Sequence, residues 1–130
     1  MLRPIGRVES SLTDPDTAPK QGDEGSPDAW LVFEQTMSQG LHDLKRGAEI
    51  IVLTWLDRAR RDVLRVHPRD PANPKQGVFS TRSPDRPNPI GLHRAQIASI
   101  EGTKIRVRNL ALDGTPILDV KPVLDRRLDG

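Results

Sequence analysis

No cysteine occurs anywhere in the 130 residues, and tyrosine is missing as well. The first absence excludes disulfides and thiolate metal sites and suits a reducing compartment. The second, with only two Trp and two Phe, leaves aliphatic side chains to fill the core. No apolar run approaches the ~20 residues of a membrane span, and the amino terminus has no hydrophobic region of the signal-peptide kind. The expected location is the cytoplasm. Several chemistries are absent too. No G-x-G-x-x-G opens a helix after a strand, no Gly-Lys-Ser/Thr ending marks a phosphate loop, and neither H-E-x-x-H nor an EF-hand spacing is present. Ser80 and Ser83 lack the G-x-S-x-G elbow of a serine hydrolase. His42, His67 and His93 lie far apart along the chain, and no metal site is expected.

The length suits one compact unit with a modest core. The formal net charge is only +2, but the basic residues are uneven: Arg58, Arg60, Arg61, Arg65, Arg69, Lys75, Arg82, Arg86 and Arg94 share one central stretch. Such a stretch attracts a polyanion such as RNA, to the extent that Asp57, Asp62, Asp70 and Asp85 do not neutralise it.

Apolar periodicity predicts a mainly β protein with many strands, one or two short helices and no β-α-β alternation. Ile5 to Val8 reads as a short strand, Ser10 to Asp28 as a loop rich in Asp, Pro, Gly, Ser and Thr, and Trp30 to Phe33 as a second strand. Met37, Leu41 and Leu44 at helical spacing predict a short helix ended by Gly47. Ile50 to Leu56, the most apolar run, predicts a central buried strand, with Val63 to Val66 as its antiparallel neighbour. Leu92 to Ile100 and Thr103 to Leu110 flank Glu101 and Gly102 as a hairpin.

Between these runs lies Gly77 to Leu92, GVFSTRSPDRPNPIGL. Pro84, Pro87 and Pro89 fix φ, remove backbone donors and push the preceding residues toward extended conformations, which excludes helix. The expectation is a rigid strap that displays Arg82 and Arg86 with little entropy left to lose. Gly77 and Gly91 bracket it as positions where the chain turns or approaches a neighbour closely.

This strap resembles the signature of the TrmO/TsaA-like family of S-adenosylmethionine-dependent tRNA methyltransferases, with Thr81, Arg82, Ser83, Arg86, Pro87, Asn88, Pro89, Ile90 and Gly91 matching. A second phrase, Asp113 to Pro122 (DGTPILDVKP), is similar to the family's second signature. Pro19, Lys20 and Gln21, after Pro4, Ile5 and Gly6, resemble its opening. The resemblance implies one TsaA-like domain over residues 1–130, a barrel that binds S-adenosylmethionine near a homodimer interface, and tRNA as a possible partner. It implies cofactor contacts from Pro19, Lys20, Gln21, Asp57, Arg58, Arg82, Leu92, Leu112, Asp113, Gly114 and Thr115. Known relatives methylate N6-threonylcarbamoyladenosine beside the anticodon.

The residues themselves fit parts of this. Asp113 and Thr115, with Gly114 allowing close approach, suit ribose or adenine contact, or else form a plain Asp-Gly turn. Arg82 suits a carboxylate or phosphate, or else is solvated. Asp57 and Arg58 stand where the family often has His-Gln, so Asp57 is either a candidate catalytic carboxylate or one half of a surface ion pair with Arg58 or Arg61. The alternative function is a module that binds the cofactor or RNA without catalysis.

Overall fold

Alternation with a period of two places successive side chains on opposite faces of a strand. It marks the longer strands of the computed structural model, which describes residues 1–10, 28–67, 72 and 74–124. In order the strands are β1 (Gly6–Ser10), β2 (Ala29–Phe33), β3 (Glu49–Trp55), β4 (Arg65–Val66), β5 (Gln76–Gly77), β6 (Ile90–Glu101), β7 (Lys104–Arg108) and β8 (Pro116–Pro122). Six of them close into a barrel in the order β1-β2-β7-β6-β3-β8, every pairing antiparallel. Closure leaves none of the six with an unpaired edge. The mainly β expectation therefore holds, and a doubly wound sheet is excluded.

The barrel interior is aliphatic: Val8, Leu31, Ile50, Val52, Ile97, Ile105, Val107 and Ile117 are all buried, and Phe33 is the one aromatic ring among the described core residues. Each such side chain contributes about 1.5–3 kcal/mol by leaving water.

Three sequence expectations need correction. β3 is not buried on both sides. Ile50, Val52 and Thr54 face the interior, while Ile51, Leu53 and Trp55 are only half-buried on the outer wall, because a closed barrel gives every strand an inside and an outside. Val63 to Val66 is not its neighbour. β3 pairs with β6 and β8, and Arg65 and Val66 instead pair with Gly77 and Gln76 in a separate two-stranded ribbon. Met37, Leu41 and Leu44 pack against the core as expected, but the helix there is a 3₁₀ helix, Gln35–Leu41, short in a stretch that Gly40 weakens.

That helix follows the carboxy-terminal end of β2 and lies at one end of the barrel. At the other end emerge the carboxy-terminal ends of β1 and β3 and the amino-terminal ends of β2, β6 and β8, as the registers Ser10↔Ala29, Trp55↔Ile90 and Thr54↔Ile117 require. The strap, Asp57, Arg58 and the Asp-Gly turn all adjoin this second end.

Candidate functional site

The expectation that the strap holds no helix needs correction: it begins with a 3₁₀ turn, Val78–Ser80, upstream of the prolines that exclude helix from the rest, and it ends by entering β6. Between these points Arg86 folds back under it. Its Nη1 donates to the carbonyls of Thr81 (3.1 Å) and Ser83 (3.0 Å), and its Nη2 donates to that of Val78 (2.7 Å). Two further arginines hold the strap from outside. Arg61 donates from Nε to the Pro87 carbonyl (2.8 Å) and from Nη2 to Asn88 Oδ1 (3.0 Å), with its guanidinium 5.4 Å from the Trp55 ring centroid. Arg60 donates its backbone N–H to Asp85 Oδ1 (2.9 Å). Pre-set proline torsions and these bonds brace the strap.

The basic stretch thus sorts into two kinds of arginine. Arg60 pairs with Asp62, whose carboxyl is held below the usual carboxylate range by the hydrogen bond from Arg60. Both groups are fully exposed, so the pair adds little stability. Arg61, Arg65, Arg86 and Arg94 have partners in the protein. Among the described residues, Arg58 and Arg82 have none. Among the described residues Asp57 makes no ion pair either, so of its two alternatives the surface pair with Arg58 or Arg61 is not formed; its backbone N–H donates to the Trp55 carbonyl (2.9 Å).

Asp113, Gly114 and Thr115 form a turn stitched to β1. The Ser10 N–H donates to Asp113 Oδ1 (2.9 Å), the Gly114 N–H to the Val8 carbonyl (2.7 Å), and the Val8 N–H to the Thr115 carbonyl (2.8 Å). Gly114 has φ +73°, where a side chain is strained, and a Cβ there would lie 3.9 Å from Arg58 Nη2. The structure therefore brings Arg58 to the Asp-Gly turn, joining two of the groups named from sequence. Leu112 packs against the core.

The remaining named residues lie elsewhere. Arg82 lines a concavity of about 720 Å³ with Val66, His67, Gln76, Phe79, Ser80, Thr81 and Ser83. Gly114 borders a different one, of about 420 Å³, beside β1. Leu92, 50% exposed, faces outward on β6 opposite Leu53. Pro19, Lys20 and Gln21 lie outside the described residues. No group of three or more His, Cys, Asp or Glu able to hold a metal occurs among the described residues, and no helix among them is long and apolar enough to cross a membrane.

One feature of this end escapes sequence reading. His93, weighed from sequence only as one of three distant histidines, points into the barrel, where its Nε2 lies 2.9 Å from the hydroxyl of fully buried Thr54. The pair crosses directly over Gly91. A Cβ on Gly91 would stand 2.6 Å from both atoms, so this bracketing glycine is needed for close approach, whereas Gly77 has open space around it. The only available signal was spacing: Gly91 and His93 share a strand face.

Burial pushes the His93 ring below its usual value. A depressed folded value means that the unfolded chain takes up the proton first, so stability present above about pH 6.5 is lost as pH falls toward the folded value. His93→Gln, which retains a hydrogen-bonding amide, is expected to flatten that loss. Urea midpoints measured between about pH 7.5 and 5 check it, and parallel curves for parent and variant would exclude His93 as the source.

Comparison with known proteins places these residues in context. The family model described as the tRNA-methyltransferase O N-terminal domain matches residues 7–129. An S-adenosyl-L-methionine-binding protein of Archaeoglobus fulgidus is 43% identical over 122 residues, covering 93% of this chain and 87% of that protein. A probable S-adenosyl-L-methionine-binding protein of Methanothermobacter thermautotrophicus is 42% identical, with 93% and 88% covered. A second Archaeoglobus fulgidus relative, 40% identical, is longer, and the match covers 33% of it. Among solved structures, one TrmO matches with TM-score 0.70 and 26% identity, covering 95% of this chain and 57% of that one. TrmO from Pseudomonas aeruginosa matches with TM-score 0.68 and 25% identity, covering 95% and 54%. The chain thus spans little more than half of the solved proteins it resembles.

Proposed function

The chain belongs to the family of the tRNA-methyltransferase O N-terminal domain, and from that premise we propose that it binds S-adenosylmethionine and methylates N6 of threonylcarbamoyladenosine beside the anticodon of tRNA. The observation that carries the reading is the pair of arginines without partners. Of the described arginines in the central stretch, Arg58 and Arg82 alone have no use inside the protein, and they are the two that the resemblance assigns to the cofactor. A cation kept partnerless on a braced backbone is ready for an anionic ligand group.

The donor set suits the cofactor. Arg82 offers a planar fork for its carboxylate. The Asp-Gly turn offers the remaining oxygen of Asp113, the Thr115 hydroxyl and close backbone approach at Gly114 for ribose and adenine, with Arg58 beside it. When bound, S-adenosylmethionine supplies a methyl group on a sulfonium, already an excellent leaving group. The protein's task is then to orient and to exclude water. The acceptor nitrogen loses its N–H proton as the new N–C bond forms, and Asp57, exposed and unpaired at the end of β3, is the nearest carboxylate by sequence to Arg58 and the candidate to receive it.

We also propose that the site is shared by two copies of the chain. Within one copy Arg82 and Leu92 stand apart from the Arg58–Gly114 cluster, and Leu53, Trp55, Ile90 and Leu92 form an apolar strip on the outer wall through the pairs Leu53↔Leu92 and Trp55↔Ile90. Light scattering is expected to give a dimer at micromolar concentration, and a monomer with full cofactor affinity would refute sharing. Transfer from labelled cofactor to total tRNA, followed by nucleoside analysis, tests the reaction. Heat of cofactor binding without transfer would leave the second reading, a binding module, which the names of the Archaeoglobus and Methanothermobacter relatives favour.

A further inference from the structure

Phe79 is 77% exposed at the centre of a hydrogen-bonded 3₁₀ turn. Val78 before it is buried, with its N–H donating to the Leu64 carbonyl (2.9 Å) and its carbonyl accepting from the Thr81 N–H (3.0 Å) and Arg86 Nη2 (2.7 Å). Ser80 after it donates its hydroxyl to the Gly77 carbonyl (2.8 Å). A mobile loop can leave an aromatic ring in water by default. Here the backbone holds the ring out, at a continuing cost in exposed apolar surface.

The surroundings are specific. Phe79 lines the same concavity of about 720 Å³ as Arg82, a size within the ~300–1,000 Å³ of ligand sites. Gln76, whose amide can both donate and accept, lies on its wall, and no acidic residue is among the described lining. Arg82 is the cation of that lining; Arg65 and Lys75 alternate with Val66 and Gln76 and so fall on the other face of the ribbon. A flat apolar face, an amide at its side and a guanidinium in the same concavity are complementary to a nucleobase of a polyanionic chain. They do not suit a lipid chain, which has no use for the amide.

We propose that Phe79 is a stacking platform for an unpaired nucleobase of RNA, with Gln76 at the base edge. A base so placed lies beside Arg82, the group assigned to the cofactor's carboxylate. The proposal rests on the methyltransferase reading only for the identity of the RNA.

Fluorescence anisotropy with a labelled single-stranded oligoriboadenylate of a dozen nucleotides tests it. Phe79→Ala is expected to weaken binding about 5- to 150-fold, the span measured for loss of one stacked base, and Phe79→Trp to bind within about threefold of the parent. Calorimetric titration of the cofactor on the same variants runs in parallel. If Phe79→Ala binds the oligonucleotide like the parent, or if a duplex of equal length binds as well as the single strand, the platform is refuted whatever the cofactor does. If the alanine variant instead turns a dimer into a monomer, Phe79 is covered by a second copy and the proposal falls. Should RNA binding depend on Phe79 while no heat accompanies cofactor, the platform stands and the methyltransferase reading fails.

Discussion

Replacing Arg86 with alanine is expected to lower the stability of the fold by about 2–4 kcal/mol. The guanidinium satisfies three carbonyls at once, those of Val78, Thr81 and Ser83, from a half-buried position beneath the strap. Charge-assisted bonds of this kind each count for more than a neutral one, and their loss leaves acceptors that water reaches poorly. Lysine restores the charge but not the fork, so Arg86→Lys should recover only part of the loss. Urea denaturation of the three proteins decides it. An alanine variant with the parent's midpoint would show that the strap holds its shape by proline torsions alone.

Arg82→Lys is expected to do the reverse. With no partner inside the protein, Arg82 contributes nothing to the fold that lysine lacks, and unfolding should change by no more than about 0.5 kcal/mol. Binding of S-adenosylmethionine or its demethylated product should weaken by about 1.5–3 kcal/mol, roughly 10- to 150-fold, because a point charge replaces two parallel hydrogen bonds. Calorimetry measures this directly. Equal affinity in the two proteins would make Arg82 a solvated side chain and move the search to Arg58 and the Asp-Gly turn.

These opposite expectations show where sequence reading stops. Both arginines stand in one phrase, and from sequence alone both are fixed charges on a rigid strap. Only the folded geometry, in which Arg86 turns inward and Arg82 outward, separates brace from binder. The same holds for the strands. The hairpin β6–β7 was legible because Ile105 and Val107 alternate with Arg106 and Arg108 around Gly102, a local signal. β8 carried no such signal: Pro116 and Pro122 delimit it, Asp119 and Lys121 interrupt its apolar run, and its register against β3 shifts at Leu53/Thr54. The pairing of Arg65 and Val66 with Gln76 and Gly77 is likewise set by the strap's path, not by composition. The Thr54–His93 contact spans two strands whose adjacency only the closed barrel creates.

The barrel closes through its shortest pairing. β1 meets β8 at Gly6↔Ile117 and Arg7↔Pro116 only, and the join continues as bonds from Ile5, Val8, Ser10 and Gly114 to Ile117, Thr115, Asp113 and Val8. The loop proposed to touch ribose and adenine is therefore also the clasp of the barrel. Sub-global opening at this clasp dismantles the ligand contacts, and by the same linkage a ligand seated on the turn keeps the clasp shut. Amide exchange at Val8, Ser10 and Gly114 becomes a gauge of occupancy that needs neither turnover nor a label on the ligand.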